Sequence, residues 1–289
     1  MIFKNKLFKF AAIGFATVGL LAGCGTNSSS DSSSGSTTKN VTTVKIAYDQ
    51  ASKPMTYTDE NGNPTGYDVE VMKEIDKLLP DYKFEFVGTT SDDLLIGVEQ
   101  GKYQAGVKNA FFTEERKEKF IFPKEFLGLS SIGLVLKSSD KDIKTLSDFA
   151  NKGYTLAPIA ANNAQYTVIK EYNDENPNNK VKLKAGDEFT VDVVQWVNEG
   201  RVDGGVMIEG AFEQQVTSEK GAYHNLKDNV VYNEFNVIKT WPLFNKNQQK
   251  FADEYDKAVK KLKEEKKLNE LSKKFYGRDL FEVLDKVSR

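Results

Sequence analysis

From Val44 to Val87 the chain runs strand, helix, strand, and no other feature narrows its folding options as far. "VKIAY" (44–48) and "KFEFV" (83–87) alternate as strands do. Between them "GYDVEVMKEIDKLL" sets Val71, Met72, Ile75, Leu78 and Leu79 on one helical face. Two strands joined by a helix form a βαβ unit, which calls for a parallel sheet covered by helices. A further helix, "SDDLLIGVEQG", ends at Gly101, and "QAGVK" follows as a short strand. The rhythm restarts after "IGLVLKSS" (132–139): helix "TLSDFA", strand "YTLAP", helix "NAQYTVIKEY", strand "VKLK", helix "VDVVQWVNEG", strand "VDGGVMI". Residues 247–276 then read as one long helical stretch, with Phe251, Tyr255, Val259 and Leu262 at helical spacing. Two α/β blocks of similar length, each too short for a full sheet with its own cofactor fingerprint, predict two lobes with a cleft between them.

The N-terminus has a different logic. Lys4, Lys6 and Lys9 precede a run from Phe10 to Leu21 that is apolar or small except for Thr17. This is the pattern of a signal peptide over residues 1–23, its apolar core too short to span a bilayer comfortably. "LAGC" (21–24) resembles the bacterial lipobox, in which Cys24 is diacylated and becomes the first mature residue. As the chain's single cysteine, Cys24 leaves the folded body without an internal disulfide or a thiolate metal site. Residues 25–40, "GTNSSSDSSSGSTTKN", carry no large apolar side chain, so residues 24–40 read as a lipidated, Ser-rich tether. Anchored this way, the body would be extracytoplasmic and held at the cell membrane. Losing the three signal lysines from 40 basic residues leaves 37 against 42 acidic, a net charge of about −5. Nucleic acid is not an expected partner, because its binding is driven by dense positive charge.

Candidate chemistry is sparse. "NAFFTEERKEKF" (109–120) places Arg116 and two lysines beside three glutamates, and by itself such a run reads as a solvated helix face. The only histidine, His224, lies in "EKGAYHNL", a loop pattern, with no nucleophile paired to it in sequence. There is no phosphate-binding glycine fingerprint, no metal-ligand cluster and no basic-aromatic array. No cofactor and no metal are expected.

Four segments in order carry a resemblance: "KPMTYTDENGNPTGYDVEVMKEI", "EQGKYQAGVKNAFFTEERKEKFIFP", "NEGRVDGGVMIEG" and "LNELSKKFYGRDL". Together they are similar to the bacterial amino-acid-binding proteins that serve ABC importers, over about Val44 to Asp279. The resemblance implies a two-lobed α/β fold of the periplasmic-binding-protein type (type II, Venus-flytrap) with the ligand held between the lobes. Lobe 1 is expected at 41–136 plus 237–289 and lobe 2 at 137–236, with crossing segments near 133–140 and 235–242. Implied partners are a small carboxylate ligand, such as an amino acid or cystine, and a membrane permease. The protein is expected to be a monomer.

The resemblance also assigns residues. Arg116 stands where the family's arginine holds the ligand's α-carboxylate, and a planar guanidinium can make two parallel charge-assisted hydrogen bonds there. Asn109 and Phe111 stand where backbone groups meet the amino acid, Phe111 stacking on the ligand or packing in the core. In "PIAANNA", Ala161 and Asn162 occupy the family's turn before a helix, where amide N–H groups complement a carboxylate; Asn162 alternatively caps that helix. The aspartate that takes the ligand's ammonium is missing: strict counting from Gly200 lands on Ile208, so either a one-residue shift presents Glu209 or the amine is bound otherwise. Ser91 lies near the place of a stacking aromatic, and Asp49 matches a cleft-facing position. Two rival functions share this fold, a dehydratase acting on prephenate-like or arogenate-like acids and a solute sensor docking on a signalling receptor.

Overall fold

A computed structural model describes residues 41–186 and 192–287 of the chain. The signal peptide, Cys24 and the tether lie outside the described residues. The first strand, β1 (Thr42–Asp49), is followed by a small antiparallel sheet of β2 (Ala51–Ser52), β3 (Thr56–Thr58) and β4 (Pro64–Thr65). Helix α1 (Tyr67–Leu78) starts at Gly66, whose φ of 109° and close approach to Met55 exclude a side chain: a Cβ would lie 2.5 Å from the Met55 carbonyl oxygen. Then come β5 (Tyr82–Thr89), α2 (Ser91–Glu99), β6 (Ala105–Ala110) and the short α3 (Glu114–Lys119). Both β5 and β6 pair with β1 in parallel, as the strand–helix–strand order requires.

Strand β7 (Gly128–Lys137) is buried along all but its last residue, the mark of a strand covered on both faces. The second block contains α4 (Leu146–Asn151), β8 (Ile159–Ala160), α5 (Ala164–Glu175), β9 (Ala185–Gly186), α6 (Val193–Glu199) and β10 (Gly204–Ile208). Helix α4 opens with a capping box between Thr145 and Asp148, which satisfies two otherwise orphaned backbone donors. A short α7 (Glu209–Phe212) runs into a π-helical turn at Glu213–Thr217. The fifteen-residue β11 (Val230–Phe244) then leads to α8 (Gln249–Glu264), α9 (Lys267–Tyr276) and α10 (Leu280–Val287).

One sheet in the order β10-β7-β11-β6-β1-β5 carries both lobes. β7 and β11 pair antiparallel from Gly128 opposite Thr240 to Lys137 opposite Val230, and β11 continues onto β6. The lobes have separate cores. One gathers Ile46, Tyr67, Met72, Ile75, Phe251 and Tyr255 beneath α1 and α8. The other gathers Ile132, Leu134, Leu136, Phe149, Leu156 and Ile169. β7 contributes Ile132, Leu134 and Leu136 to the second of these cores.

Three expectations about individual elements are corrected. "YTLAP" and "VKLK" do not form extended strands: only single bridges at Thr155–Lys182 and Leu156–Gly204 and the two-residue β8–β9 pair remain. Side chains have taken the ladder's hydrogen bonds. Asn173 bonds both backbone groups of Val181 (2.8 and 2.9 Å), and Asp203 accepts from the Thr155 N–H (2.7 Å). The stretch 247–276 is two helices, broken where Lys266 adopts φ 60° so that Leu268 and Leu271 turn back into the first core. Finally, α10 was not anticipated, although Leu280, Val283 and Leu284 recur at helical spacing; all three pack with Leu129 and Val237.

Asp68 is the costliest polar group in the first core. Its Oδ2 accepts from the Asn109 N–H at 2.8 Å, while Oδ1 is buried without a hydrogen-bond partner among the described residues. Burial pushes its carboxyl up to about 7, with the Asn109 hydrogen bond opposing. A carboxyl raised in the folded state favours folding fully below its unfolded pKa and loses that contribution as pH rises through the folded value. Stability of the wild type should therefore decline between pH 3.8 and about 7. Asp68→Asn keeps a carbonyl acceptor for Asn109 and should flatten that slope. Urea midpoints across this range, indistinguishable in slope between the two proteins, would show that Asp68 does not carry the effect.

Candidate functional site

Arg116 is set by the turn that follows β6. Thr113 caps α3, its Oγ1 accepting from the Arg116 N–H at 3.2 Å, and the guanidinium folds back so that Nη1 donates to the Phe111 carbonyl at 2.9 Å. Neighbouring cations behave as a solvated charge run should: Lys117 pairs with Glu114 at 3.5 Å and Lys119 with Glu115 at 3.7 Å, all exposed. Arg116 differs. It is half-buried, and among the described residues it has no carboxylate within ion-pair distance. Burial is the main influence on its pKa and lowers it, with Glu115 acting in the opposite direction. A guanidinium has five donors and here spends one on Phe111, so the fork remains largely unused.

That fork lies in a cavity of about 680 Å³ lined from the first lobe by α2 and α3 residues and from the second by Asn162, Asn163, Gln165 and Ile208. Phe111 lines it too. Helix α2 offers Asp92, Leu95, Ile96 and Glu99, the i, i+3, i+4, i+7 stripe of one face. Ser91 starts the same helix off that stripe and does not line the cavity. Asp49 ends β1 outside the lining, with Oδ1 accepting from the Ala51 N–H at 3.0 Å. Asn109, at φ 54°, is turned inward, its Nδ2 donating to Ser130 at 3.2 Å. In the second lobe Ala161 is exposed outside the lining, and α5 is capped by Asn163, whose Oδ1 accepts from the Gln165 N–H at 3.0 Å. The cap lies one residue beyond Asn162, which leaves the Asn162 side chain at the cavity wall.

Glu209 is not presented there. β10 pairs with β7 without interruption from Gly204–Leu136 to Ile208–Ile132, so the one-residue shift does not occur and Ile208 keeps the cavity position. Glu209 instead accepts from Arg278 Nη2 at 2.7 Å, and the same Nη2 is bonded to Glu234. Ser131 Oγ donates to Glu234 at 2.8 Å. This bridge ties the loop between α9 and α10 to the second lobe, beside a small cavity of about 70 Å³.

Sequence reasoning missed Lys108 and Arg278. Lys108 alternates with buried neighbours on β6, and its pKa is lowered first by burial and then by Arg116, against Asp49 and Asp92. It is therefore a second cation within electrostatic reach of Arg116. Its signal was legible, since the lysine in "AGVKNA" follows three apolar or small residues on a short strand. Arg278 gave none, because its partners lie 69 and 44 residues away.

Two α/β lobes on a shared pair of strands, with a cavity between them and a half-buried arginine that has no ion-pair partner among the described residues, define a Venus-flytrap binding protein. The chain belongs to the bacterial extracellular solute-binding proteins, family 3, whose family model matches residues 44–278. It is similar to the L-cystine-binding protein TcyK of Bacillus subtilis, 28% identical over 270 residues, 93% of this chain and 96% of that one. With the L-cystine-binding protein TcyJ of the same organism it shares 30% over 223 residues, 77% of this chain and 80% of that one. Among solved structures it resembles the probable amino-acid ABC transporter extracellular-binding protein YtmK of B. subtilis, with a TM-score of 0.61 and 25% identity, covering 83% of this chain and 99% of that one. These are binding proteins of amino-acid ABC transporters and not enzymes, so the dehydratase alternative is set aside.

The Arg278 bridge has a measurable consequence. Arg278→Gln leaves Glu209 and Glu234 facing each other without the guanidinium. Because all three side chains are partly exposed, the loss in stability should be about 1 kcal/mol or less. It should shrink at about 1 M salt, where screening falls to roughly 3 Å. Urea titrations at low and high salt check both; a loss independent of salt would mean that the arginine acts through packing.

Proposed function

We propose that this protein is the lipid-anchored substrate-binding component of an amino-acid ABC importer, that it takes L-cystine or a closely related amino acid between its lobes, and that Arg116 holds the ligand's carboxylate. The observation that carries the reading is the half-buried Arg116 fork without a carboxylate partner among the described residues, inside a cavity walled by both lobes. A carboxylate bound there gains two charge-assisted hydrogen bonds, and Asn162, Asn163 and Gln165 meet the same ligand from the opposite wall. Contacts to both lobes favour the closed arrangement, and the permease reads that shape. The L-cystine-binding relatives TcyK and TcyJ support cystine as the first ligand to test. The acylated Cys24 and the Ser-rich segment after it would keep a monomeric body at the outer face of the membrane.

A thermal-shift screen of the twenty amino acids and L-cystine against residues 41–289 identifies the ligand, because a molecule that binds only the folded state raises its stability. Arg116→Lys should then weaken that ligand about tenfold to a hundredfold, since lysine keeps the charge and loses the two-pronged geometry, a cost of roughly 1–3 kcal/mol. Lys117→Arg, in an exposed pair, should leave affinity unchanged. Calorimetry on both variants decides; equal affinity in Arg116→Lys and wild type would remove Arg116 from the site. Separately, Cys24→Ala should abolish lipid labelling and release the protein from the membrane fraction, and unchanged fractionation would refute the anchor.

A further inference from the structure

A second cavity of about 400 Å³ lies in the second lobe and shares Asn163, Gln165 and Ile208 with the Arg116 cavity. The two cavities therefore adjoin along those three residues. Asp192 is the only charged residue among those that line the second cavity, and no ion pair is formed by it among the described residues. Its carboxylate is held by two donors: Oδ1 accepts from the Gln195 N–H at 3.1 Å, at the start of α6, and Oδ2 accepts from the Tyr223 hydroxyl. A carboxylate has about four acceptor positions, so each oxygen retains room for one more donor. Gln215 and Tyr223 add further polar groups, while Val206, Met207 and Ala211 supply an apolar wall.

Arg116 belongs to the first lobe, where Asp92, Glu99 and Glu115 also line its cavity, and Asp192, on the second, is the acidic side chain that lines the far cavity among the described residues. Glu209 does not fill this role, because Arg278 holds it away at a different cavity. We propose that Asp192, oriented by Tyr223, is the ammonium-binding residue, so that an extended zwitterionic ligand spans both cavities with a carboxylate on Arg116 and an ammonium on Asp192. This inference rests on the amino-acid-binding reading and specifies its ligand class: an amino acid long enough to reach from one lobe into the other, such as a disulfide-linked diamino acid. It also accounts for the site's handling of the amine without an acidic residue at position 208.

The test compares L-cystine with 3,3′-dithiodipropionic acid, which keeps both carboxylates and the disulfide and lacks both amino groups. Asp192→Asn is the informative variant, because asparagine caps a helix as well as aspartate, its Oδ1 keeping the Gln195 N–H and its Nδ2 donating to the Tyr223 oxygen in place of the present bond, while the charge is removed. In calorimetry, wild type should bind L-cystine more tightly than the des-amino acid. Asp192→Asn should lose about tenfold or more for L-cystine, and little for the des-amino acid, because only the former brings a buried ammonium that is left unpaired. Tyr223→Phe should move in the same direction by less, and Arg116→Lys should weaken both probes alike. If the screen selects another amino acid, that molecule and its own des-amino acid replace the pair. Asp192→Asn binding the amino acid within twofold of wild type overturns the Asp192 assignment and leaves the binding function standing. Failure of the wild type to bind any amino acid or L-cystine overturns the function reading, and this inference with it.

Discussion

The ladder between β7 and β11 is the constraint on which the rest of the molecule depends. Ten residues of β7 run against β11, and only β11 goes on to pair with β6, so a single hydrogen-bonded pair of strands belongs to both lobes. Register shifts interrupt β11 between Glu234 and Asn236 and between Trp241 and Leu243. Bulges of this kind bend and twist a strand locally while the ladder on either side persists. They stand at the two ends of the segment that passes between the cores. A pair of strands joined this way fixes the distance between lobes and leaves their mutual angle as the softer coordinate, which is what a cleft that opens and shuts requires.

Two arginines divide the electrostatic work at the boundary between the lobes. Arg278 has both of its carboxylates in place, so its bridge to Glu209 and Glu234 forms without any ligand. Arg116, with Lys108 nearby, has no carboxylate within ion-pair distance among the described residues and is desolvated as well. Burying two like charges near one another raises the energy of the empty site, and any anion that enters relieves it. The acidic residues that balance this field, Asp49 and Asp92, act at a distance on Lys108 rather than by contact with Arg116. The wall around Arg116 is thus of mixed charge, with Asp92, Glu99 and Glu115 lining the same cavity out of ion-pair distance of the guanidinium, and among the described residues Asp192 is the carboxylate that lines the far cavity.

Local periodicity made the alternation of strands and helices legible, because α1 and β1 bury apolar residues that recur at the period of the element and β5 packs Tyr82, Phe84 and Phe86 from one face against the first core. What the sequence concealed was decided over longer distances. Val181 lost its strand to the Asn173 side chain, Lys266 turned left-handed where a continuous helix would have carried Leu268 away from the core, and the α5 cap moved from Asn162 to Asn163. At the site, the family resemblance brought Arg116, Phe111 and Asn162 to the Arg116 cavity, whereas Asn109, Ser91, Asp49, Ala161 and Glu209 stand outside its lining. Their placement has local physical causes: a left-handed backbone at Asn109, the helical angle at Ser91, a self-closing turn at Asp49, and an unbroken β10 register at Ile208. Asp192 was visible only as a residue before an apolar helix, a pattern that announces a cap and says nothing about the cavity behind it.

The uncompensated charge also explains why closure should wait for a ligand. Bringing the second lobe down on Arg116 removes water from a cation whose pKa is already lowered mainly by burial, and that step is unfavourable while no carboxylate is present. With a carboxylate on the guanidinium the same step buries a paired, hydrogen-bonded ion, which reverses much of the penalty. The ligand then acts on the equilibrium through its differential interaction with the two arrangements, as any such shift requires. A cavity with its own built-in counter-ion, like the Glu209–Arg278–Glu234 bridge, has no such dependence. Placing the satisfied arginine at the α9–α10 loop and the unsatisfied one beside β6 therefore separates a permanent tie between the lobes from one that only a bound anion completes.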